Sequence, residues 1–199
     1  MKRMKALVMA VSVLLVASAP GVWAGVTLVA DALPADILAN VGADAFSVSG
    51  NGNKEEVAVI SSMPCVAAGV QVELPPGYLD LKAGAGMLLN SRFRSTLFYG
   101  DARLLLEMQR SFMIGPHAGL IYFNDPKWWG DADITFRKEL GYMFGINAMM
   151  GDKIAYLLSV DYVAAKFDIT EVGAGWTASD PNMLNMSGIA VQFGVRAQF

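Results

Sequence analysis

Few residues of this 199-residue chain are equipped for chemistry: one histidine, one cysteine, and charged side chains scattered at regular intervals. A histidine acting as a general base needs a nucleophile within reach and an acid to orient it. Neither can be read from the segment around His117, which therefore reads as a packed, hydrogen-bonded side chain. One cysteine and one histidine cannot make a Cys/His zinc site within one chain. A single cysteine also forbids an internal disulfide, and Cys65 reads as a small buried hydrophobe. Gly84-Ala85-Gly86 has no helix after it and is not a nucleotide loop. Asp125, Asp131 and Asp133 read as a solvated acidic loop rather than a calcium site. The expectation is no metal, no cofactor and no enzyme.

The charges carry more information, because they keep step with a period of two. Glu73, Asp80, Lys82, Asp101, Arg103, Glu107, Arg137, Glu139, Asp161 and Arg196 each fall in the polar half of an alternating segment, opposite an apolar half. Period two places the halves on the two faces of a strand. Interleaved opposite charges on one face can satisfy one another where lone charges would be costly. In a barrel of eight strands the bore is only wide enough for its own side chains. The expectation is a salt-bridged plug, with a gated narrow channel as the alternative.

The elements that hold these residues follow from the same alternation. Working back from Phe199, apolar Ala197, Val195, Phe193, Val191 and Ile189 oppose polar or small Gln198, Arg196, Gly194, Gln192, Ala190 and Gly188. Further strands are expected over residues 153–168, 133–150, 112–123, 96–109, 78–89 and 66–74. Tight turns at Gly151-Asp152, Arg110-Ser111 and Pro75-Gly77 join them in pairs. Pro116 is tolerable in its strand only at a bulge or irregular ladder position. Seven strands break the even-number rule of bacterial barrels, so an eighth is expected within Val41–Ser49. Residues 25–40 are then a periplasmic lead-in or short helix. Outer loops are expected at Gly50–Lys54, Asn90–Arg94, Asn124–Gly130 and Ile169–Asn185. The polar halves are rich in glycine, which suits a crowded lumen and would line the outside of a soluble barrel poorly. Trp128 and Trp129 read as an interfacial aromatic girdle.

The alternating final strand, with Phe193 and terminal Phe199, resembles the small outer-membrane β-barrels (OmpA/OmpX-like). One departure is Ala197, where the family often carries an aromatic. The resemblance implies an all-β, closed antiparallel transmembrane β-barrel of eight strands with short periplasmic turns. It also implies that Phe199 and Phe193 serve as the assembly signal read by the barrel-assembly machinery. Similarity to the lipid A deacylase barrels fails at His117, which is followed by Ala118-Gly119 where that family has a serine two residues on.

Lys2, Arg3 and Lys5 ahead of apolar Ala6–Ala19 form a secretory signal peptide with cleavage after Ala24. The domains expected are thus 1–24 signal, 25–40 lead-in and 41–199 barrel. Hydrophobic content is 54%, yet no mature segment reaches the roughly 18 unbroken apolar residues of a spanning helix. After cleavage about 18 acidic residues face 12 basic ones, which argues against nucleic acid. The partners expected are outer-membrane lipids, lipopolysaccharide and an extracellular partner at the outer loops. The function expected is a non-enzymatic envelope structural or surface-interaction element of the Gram-negative outer membrane. A narrow porin-like channel, and then a lipid A- or phospholipid-modifying enzyme, are the alternatives.

Overall fold

The computed structural model describes residues 25–41, 46–180 and 182–199. The signal segment, and residues 42–45 of the expected first strand, lie outside them. The strands in chain order are β1 (Val26–Asn40), β2 (Ser47–Gly50), β3 (Asn53–Glu56), β4 (Ile60–Ser61), β5 (Cys65–Leu74), β6 (Gly77–Leu89), β7 (Phe93–Gln109) and β8 (Phe112–Trp128). Then come β9 (Thr135–Phe136), β10 (Glu139–Gly151), β11 (Ile154–Ala164), β12 (Lys166–Glu171), β13 (Trp176–Ala178), β14 (Met183–Asn185) and β15 (Gly188–Gln198). Among the described residues there is no helix.

Eight of these strands form a continuous antiparallel ring. The order is β1-β5-β6-β7-β8-β10-β11-β15, and β15 pairs back onto β1. Seven of them are the strands expected from alternation, with β7 and β8 reaching several residues further at the loop end. The eighth is a correction. Val26–Asn40 is not a lead-in but the first wall strand, and Ser47–Gly50 belongs to a small separate sheet in the order β13-β2-β3.

The physical reason is a bulge. Between Ala32 and Ala35 the register with β15 slips by one, so Leu33-Pro34 occupies the space of a single residue. Val29, Asp31 and Leu33 point inward before the slip, and Leu38 and Asn40 after it. A bulge is where proline fits a strand, and it reverses the sequence parity that alternation depends on. Pro116, by contrast, causes no bulge. The ladders through it keep their register, with Ile146 opposite.

Facing follows the expected parity. Phe98, Leu104, Leu120, Tyr142, Phe144, Ile146, Tyr156, Val160, Val191 and Phe193 are exposed, while their in-between neighbours are buried, or half-buried at Gly119 and Gly145. Along β7 the exposed apolar positions run from Phe98 to Met108. That is about 33 Å of strand, or a band about 25 Å tall at the usual strand tilt of a membrane barrel.

The two ends differ sharply. At one end tight turns connect β5 to β6, β7 to β8 and β10 to β11. At the other, β2, β3, β4, β9, β12, β13 and β14 build a cap over the bore. Its core includes Phe93, Phe123, Phe136 and Phe167, with ring centroids 4.6–6.4 Å apart.

Candidate functional site

The middle of the bore is polar, and nearly every charge in it has a partner. β1 brings Asp31, β6 brings Asp80 and Lys82, β7 brings Asp101 and Arg103, β8 brings His117, β11 brings Ser159 and Asp161, and β15 brings Arg196. All are at most 5% exposed. Arg196 grips Asp31 in a bidentate fork, Nε to Oδ1 at 2.7 Å and Nη2 to Oδ2 at 3.1 Å. The other Asp31 contacts are Lys82 Nζ and Arg103 Nη1, the latter at 3.4 Å. Asp31 is thus the hub of three cations.

On one side of the hub, Arg196 Nη2 makes a close ion contact of 2.6 Å with Asp80, which also accepts from Gln71 Nε2 at 3.0 Å. On the other side Arg103 Nε donates to Asp101 at 2.7 Å. Beyond it His117 bridges two carboxylates, Nδ1 to Asp101 at 2.9 Å and Nε2 to Asp161 at 2.5 Å. Ser159 donates to Asp161 at 2.5 Å and 2.6 Å. A carboxylate only accepts, so an imidazole held at both nitrogens by carboxylates is an imidazolium. With that proton, four aspartates face four cations, and the buried cluster is neutral.

Glycine makes room for this cluster. A methyl on Gly145 would lie 2.3 Å from Asp161 Oδ1, and one on Gly69 would lie 2.8 Å from Lys82 Cγ. The glycine-rich polar face is therefore the inner face, packed against large charged neighbours.

Of the ten charges expected in the lumen, six are brought together: Asp80, Lys82, Asp101, Arg103, Asp161 and Arg196. Four are not. Glu73 and Glu107 are exposed at the turn end, where their strands run out of the bore. Arg137 lies outside the strands, two-thirds exposed and 3.6 Å from Asp168. Its expected strand begins only at Glu139, which is half-buried at the loop end of β10. The hub, Asp31, is not among the ten, because residues 25–40 are expected as a lead-in. The signal for it is a lone acid in the otherwise nearly apolar run Val26–Leu33.

The aromatic pair also divides. Trp129 is 60% exposed, with the Arg94 guanidinium 4.5 Å over its ring. Trp128 is buried in the cap rather than at an interface, edge-on to Phe46 at 5.9 Å. Its Nε1 donates to Glu55 at 2.7 Å, and the Asp131 backbone N–H donates to the same carboxylate at 2.8 Å. Burial pushes the Glu55 carboxyl up, but these donors and nearby Arg92 outweigh it and hold it below its ordinary range. Phe193 and Phe199 both stand on the exposed face.

Ser159, His117 and Asp101 have the residue types of a hydrolytic triad, but the hydrogen bonds of Ser159 Oγ and His117 Nε2 run to Asp161. Ser159 Oγ is 3.5 Å from His117 Nε2 and is committed to Asp161. All of these groups are at most 5% exposed. An internal void near Arg103 measures about 10 Å³ and is lined by Tyr99, Arg103, Met143 and Gln192 among others. That is room for about one water. Among the described residues no cluster of metal-ligating side chains occurs.

No protein-family model matches the sequence, and no curated protein matches it. Among solved structures the chain is similar to Neisserial surface protein A at 13% identity, covering 88% of this chain and 98% of that one, with a TM-score of 0.45. It is similar to the outer membrane protein OprG from Pseudomonas aeruginosa at 11% identity, with coverage of 88% and 96% and a TM-score of 0.43. The outer membrane protein AlkL in DMPC bilayers gives 11%, 92%, 93% and 0.49. The strand ring described above stands on its own pairing.

Proposed function

We propose that this protein is a non-enzymatic β-barrel of the Gram-negative outer membrane, exported behind a signal peptide at residues 1–24. It acts through its loop end, as an envelope structural or surface-interaction element, and does not conduct. The observation that carries this reading is the filling of the bore. A neutral ion cluster occupies its middle and four interlocked phenyl rings close its loop end. The exposed apolar wall, with tight turns at one end and an elaborate cap at the other, is the asymmetry of a barrel in lipid.

Planar bilayers test the claim. Purified protein should insert and show no steady ohmic conductance. A steady current whose ion selectivity changes on replacing Arg103 makes it a channel instead. Lipid profiles of cells with and without the protein should coincide; a change in lipid A or phospholipid acylation would establish an enzyme.

A further inference from the structure

The bulge in β1 also decides which residues of the strand's upper half meet the outside. With unbroken parity Pro34, Asp36, Leu38 and Asn40 would follow Ala32 onto the outer face. The slip puts Ala35, Ile37 and Ala39 there instead, with Val41 just beyond the strand. Asp36 and Asn40 turn to the other side, where Asp36 accepts from Ser62 Oγ at 2.7 Å and Asn40 donates to Ser61 Oγ at 2.6 Å. Past the bulge β1 leaves β5 and takes β4 as its neighbour, with Ile60 opposite Ala39. The Asn40 N–H donates to the Val59 carbonyl at 2.7 Å. The result is an uncharged outward stretch in which Ile37, Val41, Val59 and Ile60 are 49–70% exposed.

The apolar surface therefore climbs higher here than across the barrel. Counted from the turn end of each strand, the outward apolar run ends at Phe98 on β7, Tyr122 on β8 and Leu140 on β10, ten or eleven positions up. On β1 it reaches Val41, fifteen positions above Val26 with one of them spent in the bulge. The excess is about 10 Å of strand, or roughly 7 Å of height at the usual tilt of a membrane barrel. Over the same span the opposite wall presents Arg94, Asp125 and Lys138.

We propose that the acyl chains of the outer leaflet climb the β1–β4 face to Val41 and Ile60 and stop at Phe98, Tyr122 and Leu140 across the barrel. The edge of the hydrocarbon then runs obliquely around the wall. Continuity selects this occupant. The patch joins the apolar band without a break, Ile37 beside Val191 and Ala39 beside Ile189 on β15. Four aliphatic side chains fall far short of the roughly 800 Å² that each partner gives to a stable protein interface. Lipid needs no such area, and a wall taller than the surrounding hydrocarbon is met by tilt or local thickening of the bilayer at modest cost.

This inference rests on the membrane reading above, and the test separates the two. Single cysteines at Val41, Ile60, Asn124, Lys138 and mid-band Ile146, in a C65A background, each carry a nitroxide label. The labelled proteins are folded into dimyristoylphosphatidylcholine vesicles, and heat-modifiable gel migration reports folding. Collision of the label with oxygen, which concentrates in hydrocarbon, is compared with collision with a water-soluble nickel chelate. Oxygen should dominate at Val41 and Ile60 as it does at Ile146, and nickel at Asn124 and Lys138. V41K/I60K should draw the edge down, shifting a label at Ala39 toward nickel and leaving one at Ile146 unmoved. Nickel dominance at Val41 and Ile60, oxygen dominance at Lys138, or an unmoved Ala39 label overturns the proposal while leaving the inserted barrel in place. Protection of Ile60 from both reagents puts a protein partner there in place of lipid and overturns it as well. Nickel dominance at Ile146 overturns the membrane reading itself.

Discussion

The middle of the bore and its loop end are filled in opposite ways. In the middle, charged side chains from six ring strands interlock, and each is placed by its parity on a regular strand. At the loop end the same bore is closed by Phe93, Phe123, Phe136 and Phe167, contributed partly by short strands outside the ring. The first filling depends on partners, since one missing group strands a charge in a dry place. The second depends on shape, and its cost scales with the volume removed. One region is brittle to single changes, the other forgiving.

The sharpest test of that contrast is Arg196→Ala, which leaves Asp31 and Asp80 without their main cation. It should cost about 3–5 kcal/mol, read by denaturant unfolding in lipid, and should still give no large conductance. A loss below about 1 kcal/mol would mean that water reaches the cluster and that the middle is not dry. Next is the wall, where Leu104→Arg puts a charge on the lipid face and should cost roughly 2–4 kcal/mol. Stability unchanged in lipid would remove the support for an apolar exterior. In the cap, Phe167→Leu should cost only about 1 kcal/mol. Faster amide exchange should be confined to β9, β12 and β14, and a global loss equal to that of Arg196→Ala would erase the contrast.

The smallest effect is the Glu55 clasp between β3 and residues 128–131. Because its folded carboxyl titrates below the ordinary value, its stabilisation is complete above the ordinary carboxylate range. It is lost as pH falls through the depressed value. Acidification should therefore raise exchange at Trp128 Nε1 and the Asp131 amide, and Glu55→Gln should remove the pH step.

The strands were legible in the sequence wherever register is regular, because period two survives along a straight ladder. Arg103 and Asp161 were placed correctly on that ground alone. Pro34 shows the limit, since one bulged residue inverts parity and hid both β1 and Asp31. The need for an eighth strand was visible in the count, but its location was not. The cap was hidden for another reason. Phe46, Trp128 and Phe167 meet only after segments distant in the chain have folded back, and no local period records such contacts. Trp128 therefore looked like an interfacial residue and is a buried one.

The seam between β1 and β15 has a kinetic consequence. Asp31 and Arg196 stand 165 positions apart, so their fork forms when the first and last strands of the ring meet. Until then the molecule is an open sheet with two unpaired edges, and such edges invite pairing with other chains. Closure is a contact of very high sequence separation, the kind that folds slowly. An interaction formed only at closure acts mainly on the rate of opening. The ion pair at the seam is thus a latch, engaged last, that governs how long a finished ring stays shut.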